Sequence, residues 1–130
     1  MKIIGLYAST LVLYALLDLG FIGLFASDFI RRQVGPKLAP APDWAAAGVF
    51  YFLFAAALLY FCVLPAQSGA RALFNGAFFG LVAYGTYELV NRALLADWPW
   101  PMVAVDMAWG TVMCAAVSWG VWRIGQLWPA

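Results

Sequence analysis

The sequence predicts an all-α fold, a four-helix bundle embedded in a membrane and built as a single domain over residues 1–130. Two observations carry this reading. Of the 130 residues, 66% are hydrophobic and only 10% charged, against about a quarter charged in an ordinary soluble domain. The apolar residues also gather in four stretches, residues 3–26, 44–64, 71–95 and 100–123, each close to the roughly 20 residues a helix needs to cross a bilayer. Isolated strands would leave their backbone unpaired in lipid, so helix is the state these stretches must take. One bundle is all that a chain of this length accommodates.

The first stretch opens Met1-Lys2-Ile3, as a secretory signal does. Its apolar run exceeds the roughly 7–15 residues of such a signal and no clear Ala-x-Ala site follows, so it reads as a retained first span. The connection from Ser27 to Asp43 is the longest. Ser27-Asp28 is placed to cap a short interfacial turn carrying Phe29, Ile30 and Val34, with Arg31 and Arg32 on its wet side. Pro36, Pro40 and Pro42 then hold the chain extended until Asp43, an N-cap for the second span. Between Trp44 and Leu64 the polar groups are Tyr51, Tyr60 and Cys62, which marks that span as a packing helix. Pro65 to Gly69 makes the second connection and Asp97-Trp98-Pro99-Trp100-Pro101 the third.

Tryptophans mark the two membrane faces. Trp44, Trp98 and Trp100 fall on one, Trp119, Trp122 and Trp128 on the other, and Trp109 lies inside the fourth span. The basic residues do not decide orientation: Lys2, Arg71 and Arg123 on the terminal side face Arg31, Arg32, Lys37 and Arg92 on the other. The terminal-side cations lack acidic company, which leans toward cytoplasmic termini. The expected location is the bacterial cytoplasmic (inner) membrane, crossed by several passes.

Three carboxylates interrupt the apolar stretches: Asp18, Glu88 and Asp106. A charge in hydrocarbon costs about 2.5–3.5 kcal/mol on insertion scales and therefore normally faces protein or water. Asp18 stands about eight residues, or about 12 Å, from the far end of the first span. Glu88 is at a similar depth in the third span and Asp106 in the fourth, so the three share roughly one level on three helices. Helical spacing puts Tyr14 one turn before Asp18, and Tyr84 and Asn91 beside Glu88. Trp109 and Gly110 flank Asp106. Arg92 follows Glu88 by one turn, the favourable order for a structural ion pair along a helix. The candidate binding or proton-linked residues are thus Asp18, Glu88, Asp106, Tyr14, Tyr84, Asn91 and Trp109.

A short internal match accompanies them. Tyr14-Ala-Leu-Leu-Asp18-Leu19 aligns with Tyr84-Gly-Thr-Tyr-Glu88-Leu89, followed by Asp43-Trp-Ala and Asp106-Met-Ala. Two pseudo-repeated helical hairpins, related by an axis along the membrane normal, would produce it. Asn75-Gly76-Ala-Phe-Phe-Gly80 carries a small-xxx-small pattern suited either to packing within the chain or to a dimer.

The chain contains no histidine, which removes imidazole-ligated haem and histidine acid–base chemistry. Cys62 and Cys114 stand alone in apolar surroundings, as inert buried thiols do. No Walker loop, catalytic triad or dinucleotide fingerprint is present, so neither metal nor cofactor is expected. A net charge of +1 gives no electrostatic case for nucleic acid.

Taken together, Leu17-Asp18, Pro42-Asp43-Trp44-Ala-Ala-Ala, Tyr84-Gly-Thr-Tyr-Glu88-Leu-Val-Asn91 and Val105-Asp106-Met107-Ala108-Trp109-Gly110-Thr111 resemble a family of small bacterial predicted membrane proteins of unknown function. The resemblance covers essentially the whole chain, and Asp106-Met-Ala-Trp-Gly-Thr is its most specific part. Glu88 stands where the resemblance leads one to expect Asp. The resemblance implies four transmembrane helices and supplies no activity.

Three functional readings stay open. The leading one is a small transporter or ligand-binding membrane protein whose acids line a polar pocket, with release of a proton linked to binding a cation or an amphipathic substrate. Small four-span multidrug transporters are an analogy of size and acid placement; their sequence motifs are absent. The second is an accessory or scaffold subunit whose acids tie helices together. The third, a lipid-modifying enzyme, has the least support, because no catalytic machinery is legible. Expected partners are the lipid bilayer, a small cationic or amphipathic ligand or lipid, and a second copy of the chain.

Overall fold

The computed structural model describes residues 1–128, and the described residues form four helices: α1 (Lys2–Lys37), α2 (Trp44–Val63), α3 (Gly69–Leu94) and α4 (Trp100–Leu127). The fold is an all-α membrane bundle. α1, α2 and α4 are each long and apolar enough to cross a membrane. α3 is 26 residues long, but its Gly, Asn, Tyr and Glu content leaves it outside that group. Many outward-facing side chains are apolar: Leu16, Leu24, Phe25, Phe52, Leu53 and Val112 are each more than half exposed. In water this would be a large sticky surface; against lipid it is the natural exterior.

α1 differs most from expectation. Ser27 forms no cap, and the chain continues as helix past it to Lys37, through a π turn at Ile22–Ala26 in which the Ser27 N–H reaches back to the Ile22 carbonyl. The reason is burial. Leu6, Thr10, Tyr14, Asp18, Ala26 and Val34 form an inward stripe at multiples of four residues. A regular α-helix rotates such a stripe by about 40° at each step. The wider π turn takes back part of that drift and keeps Val34 on the side of Asp18. Val34 then packs with Trp98, Met102 and Val103 in a small apolar cluster, with Phe29 and Ile30 at its edge. The extra turns are held against the bundle by this cluster, with Arg31 and Arg32 on the exposed side.

The other termini follow local chemistry. Asp43 caps α2 as expected, its Oδ1 accepting the Ala46 N–H at 3.0 Å. Ser68 caps α3 by accepting the Arg71 N–H at 3.1 Å. Prolines at 99 and 101 suit the start of α4, where backbone N–H groups have no helical partner. α2 ends in a second π segment, Leu58–Val63, with the Leu64 N–H bonded to the Leu59 carbonyl at 2.9 Å.

α3 and α4 are the most closely packed pair. A Cβ on Gly76 would lie 2.2 Å from the Cys114 carbonyl oxygen, and one on Gly80 would lie 2.2 Å from that of Gly110. The small-xxx-small face is therefore used inside the chain, where only glycine admits so near an approach of backbones. α1 meets α2 and α4 less closely, so the two hairpins are unequal. The pseudo-repeat persists in one place: Tyr14 and Tyr84, its matched tyrosines, meet hydroxyl to hydroxyl. It fails at the next element, since Asp43 caps a helix while Asp106 lies inside one.

The terminal half of the bundle is filled by an apolar core of Leu6, Leu58, Cys62, Met113, Val117 and Val121 among others. Toward the first and third connections, the backbone of the Trp44–Ala57 part of α2 stands away from that of α3, and Phe54 bridges the two by packing its ring on Phe79 and Tyr84. The interior there is partly open, and the acidic residues stand in it.

Candidate functional site

Asp18 is 9% exposed and Glu88 fully buried. Both oxygens of Asp18 are engaged. The Tyr51 hydroxyl donates to Oδ2 at 2.6 Å, and the Trp109 indole N–H lies 3.4 Å from Oδ1. Trp109 is held flat by Phe21, the rings stacked at 4.0 Å between centroids. Tyr14, one turn below Asp18, is completely buried and pairs with Tyr84. That pair forms the floor of the site, with Phe54 4.9 Å from Tyr14 between ring centroids.

Glu88 is bound differently. The Trp98 indole N–H donates to its Oε2 at 2.7 Å, while Oε1 is buried with no donor. The Asp106 carboxyl lies within hydrogen-bonding reach of Glu88. Two acids thus face each other across the α3–α4 contact without a cation between them. Asn91, placed near Glu88 by spacing, has its side chain against the Tyr87 hydroxyl instead.

The expected ion pair between Glu88 and Arg92 is not formed. Arg92 donates to the Trp98 carbonyl at 2.7 Å and covers the Trp100 ring at 4.9 Å. Both residues are thereby joined through Trp98, which takes one partner by its ring and the other by its backbone. Trp98 is turned into the bundle, being only 6% exposed. Asp97 makes the turn that drives it inward, with φ at 61°, and the Asp97 carbonyl accepts Lys37 Nζ at 3.3 Å.

Asp18 and Asp106 line the same open space. A cavity of about 340 Å³ lies among α1, α2, α3 and α4, bounded by Asp18, Ile22, Phe50, Phe54, Ala83, Tyr84, Tyr87 and Asp106. A second space of about 80 Å³ lies on the other side of the two acids, against the π turn of α1 and Trp109. The structure therefore brings Asp18, Glu88, Asp106, Tyr14, Tyr84 and Trp109 together, and leaves Asn91 and Arg92 at the margin. It adds Tyr51 and Trp98. Tyr51 was legible only as a rare polar group in α2, and as a donor to Asp18 it makes that helix more than packing.

The model of one protein family, described as predicted membrane proteins (DUF2177), matches residues 3–122, nearly all of the chain. The chain belongs to this family. No curated protein and no solved structure matches it.

Proposed function

We propose that this DUF2177 protein is a multi-pass protein of the bacterial inner membrane that binds small lipophilic cations from the bilayer, as a transporter or receptor for them. The observation that carries this reading is the cavity in which Asp18 and Asp106 stand among Phe50, Phe54, Tyr84 and Tyr87. Carboxylates supply the charge such a ligand seeks, and aromatic faces attract cations while tolerating their apolar substituents. A volume of about 340 Å³ falls in the range of small-molecule pockets. The apolar lining contributed by Ile22, Phe50, Phe54 and Ala83 suits a ligand dissolved in lipid. α3 is less apolar than its neighbours, yet it lies along α4 through Gly76 and Gly80, which supports a crossing by all four helices.

An accessory or scaffold subunit would have to use its exposed aromatic side chains, such as Phe61, Phe74 and Phe78, because Gly76 and Gly80 are covered by α4. The test is equilibrium binding of benzyltrimethylammonium to the protein in lipid nanodiscs. Binding that weakens at least about tenfold in both D18N and D106N supports the proposal, since losing a charge-assisted contact is worth about 1.5–3 kcal/mol. Saturable binding unaffected by either variant, or no binding to the native chain, counts against it.

A further inference from the structure

We infer that Glu88 and Asp106 form a binding site for a single proton, separate from Asp18, and that a cation entering the adjoining cavity displaces that proton. The second half rests on the cation-binding reading above; the first does not.

The starting point is the unpartnered oxygen. Glu88 is fully buried, its Oε2 takes the Trp98 N–H, and its Oε1 has no donor. Buried polar atoms are satisfied in the great majority of cases, so a bare one needs an explanation. Asp106 is the group within reach of Glu88, and an ionised carboxylate can only accept. Two carboxylates at hydrogen-bonding distance cannot both ionise without a compensating cation. A proton between them supplies the missing donor and removes one of the two negative charges.

The surroundings offer no substitute. From α1 the facing group is Asp18, itself acidic and already holding Tyr51 and Trp109. α2 contributes Tyr51, which is committed to Asp18. α3 contributes Tyr84, bonded to Tyr14, Tyr87, set against Asn91, and Arg92, turned to Trp98 and Trp100. The third connection gives the neutral indole of Trp98. No basic side chain therefore neutralises the pair among the described residues.

Asp106 belongs both to this pair and to the cavity wall. A cation seated beside Asp106 provides the compensating charge, and the shared proton then leaves to solvent. By mass action, acid conditions oppose cation binding, and in the competitive range affinity falls about tenfold per unit drop in pH.

Infrared spectroscopy of the native chain in nanodiscs at neutral pH tests the proton site without any ligand. The expected result is a carbonyl stretch of a protonated carboxylic acid, shifted by deuterium exchange and absent from both E88Q and D106N. No such band, or one that survives in both variants, overturns the site. Each variant is matched in shape and its amide can donate to the remaining carboxylate, so folding is retained. Calorimetric titration with benzyltrimethylammonium in two buffers of different ionisation heat then reads the coupling. The native chain is expected to release about one proton per cation and E88Q none. Binding without proton release overturns the coupling, whereas a clear infrared band with no cation binding leaves the proton site standing and defeats the ligand reading.

Discussion

Trp98 decides much of the site through two atoms. Its indole N–H donates to one oxygen of Glu88, and its carbonyl holds Arg92 away from the same carboxylate. Trp98→Phe keeps the aromatic bulk and deletes the donor, leaving Glu88 without that partner at a fully buried position. The expected cost is about 1–3 kcal/mol, seen as a lower midpoint of thermal unfolding in nanodiscs; an unchanged midpoint would mean that Glu88 does not depend on this bond. Tyr51→Phe should cost less, about 0.6–1.7 kcal/mol, because Asp18 keeps Trp109 at its other oxygen. These two residues also show what spacing conceals. Tyr14, Asp18, Tyr84, Glu88 and Asp106 were legible because an acid in an apolar span is conspicuous and its helical neighbours follow from a period of 3.6. Tyr51 and Trp98 reach the acids across helices or from a turn, and which side chain spans such a gap depends on helix rotation, which no local pattern encodes.

At the scale of elements, the α3–α4 contact is the rigid reference against which the other helices are placed. Gly80→Ala would set a Cβ 2.2 Å from the Gly110 carbonyl, and backbone cannot move aside as a flexible side chain can. The loss should be about 1–3 kcal/mol or more. Gly20 in α1 is a fair control, because a Cβ added there would have nothing within 4 Å. Gly20→Ala should raise stability by about 0.5–1 kcal/mol. Unfolding of the two variants in the same detergent compares them directly, and equal effects would refute the packing argument. The helices themselves were largely visible as apolar runs, and Asp43 marked the start of α2 correctly. The continuation of α1 to Lys37 was not, because Ser27-Asp28 followed by two arginines has the look of a boundary. Burial of Val34 against Trp98, Met102 and Val103 overrides that local signal. The π turn at Ile22–Ala26 is equally silent in sequence, since it answers to where the inward stripe must point and not to the residues within it.

At the scale of the whole molecule, the space beside the acids is what suits binding. Beyond the apolar core of the terminal half, cavities lie on both sides of Asp18 and Asp106 and have these acids in their walls. An unfilled space sacrifices contacts that a larger side chain would regain, so a protein selected only for stability would close it. Ala83 is the natural place to make that change, because it is a small residue on the cavity wall, apart from the paired acids. Ala83→Phe should occupy much of the space between Phe50, Phe54 and Tyr84 and bury more apolar surface. If the cavity is a binding site, the variant should unfold at a higher temperature than the native chain, while its affinity for benzyltrimethylammonium falls by at least about tenfold, the trade-off expected where function maintains a suboptimal core. Thermal unfolding and equilibrium binding on the same nanodisc preparation give both readouts. A more stable variant that still binds with native affinity would place the ligand elsewhere. A less stable one would show that the space is needed by the fold itself, as room for Tyr84 and Tyr87 to pack.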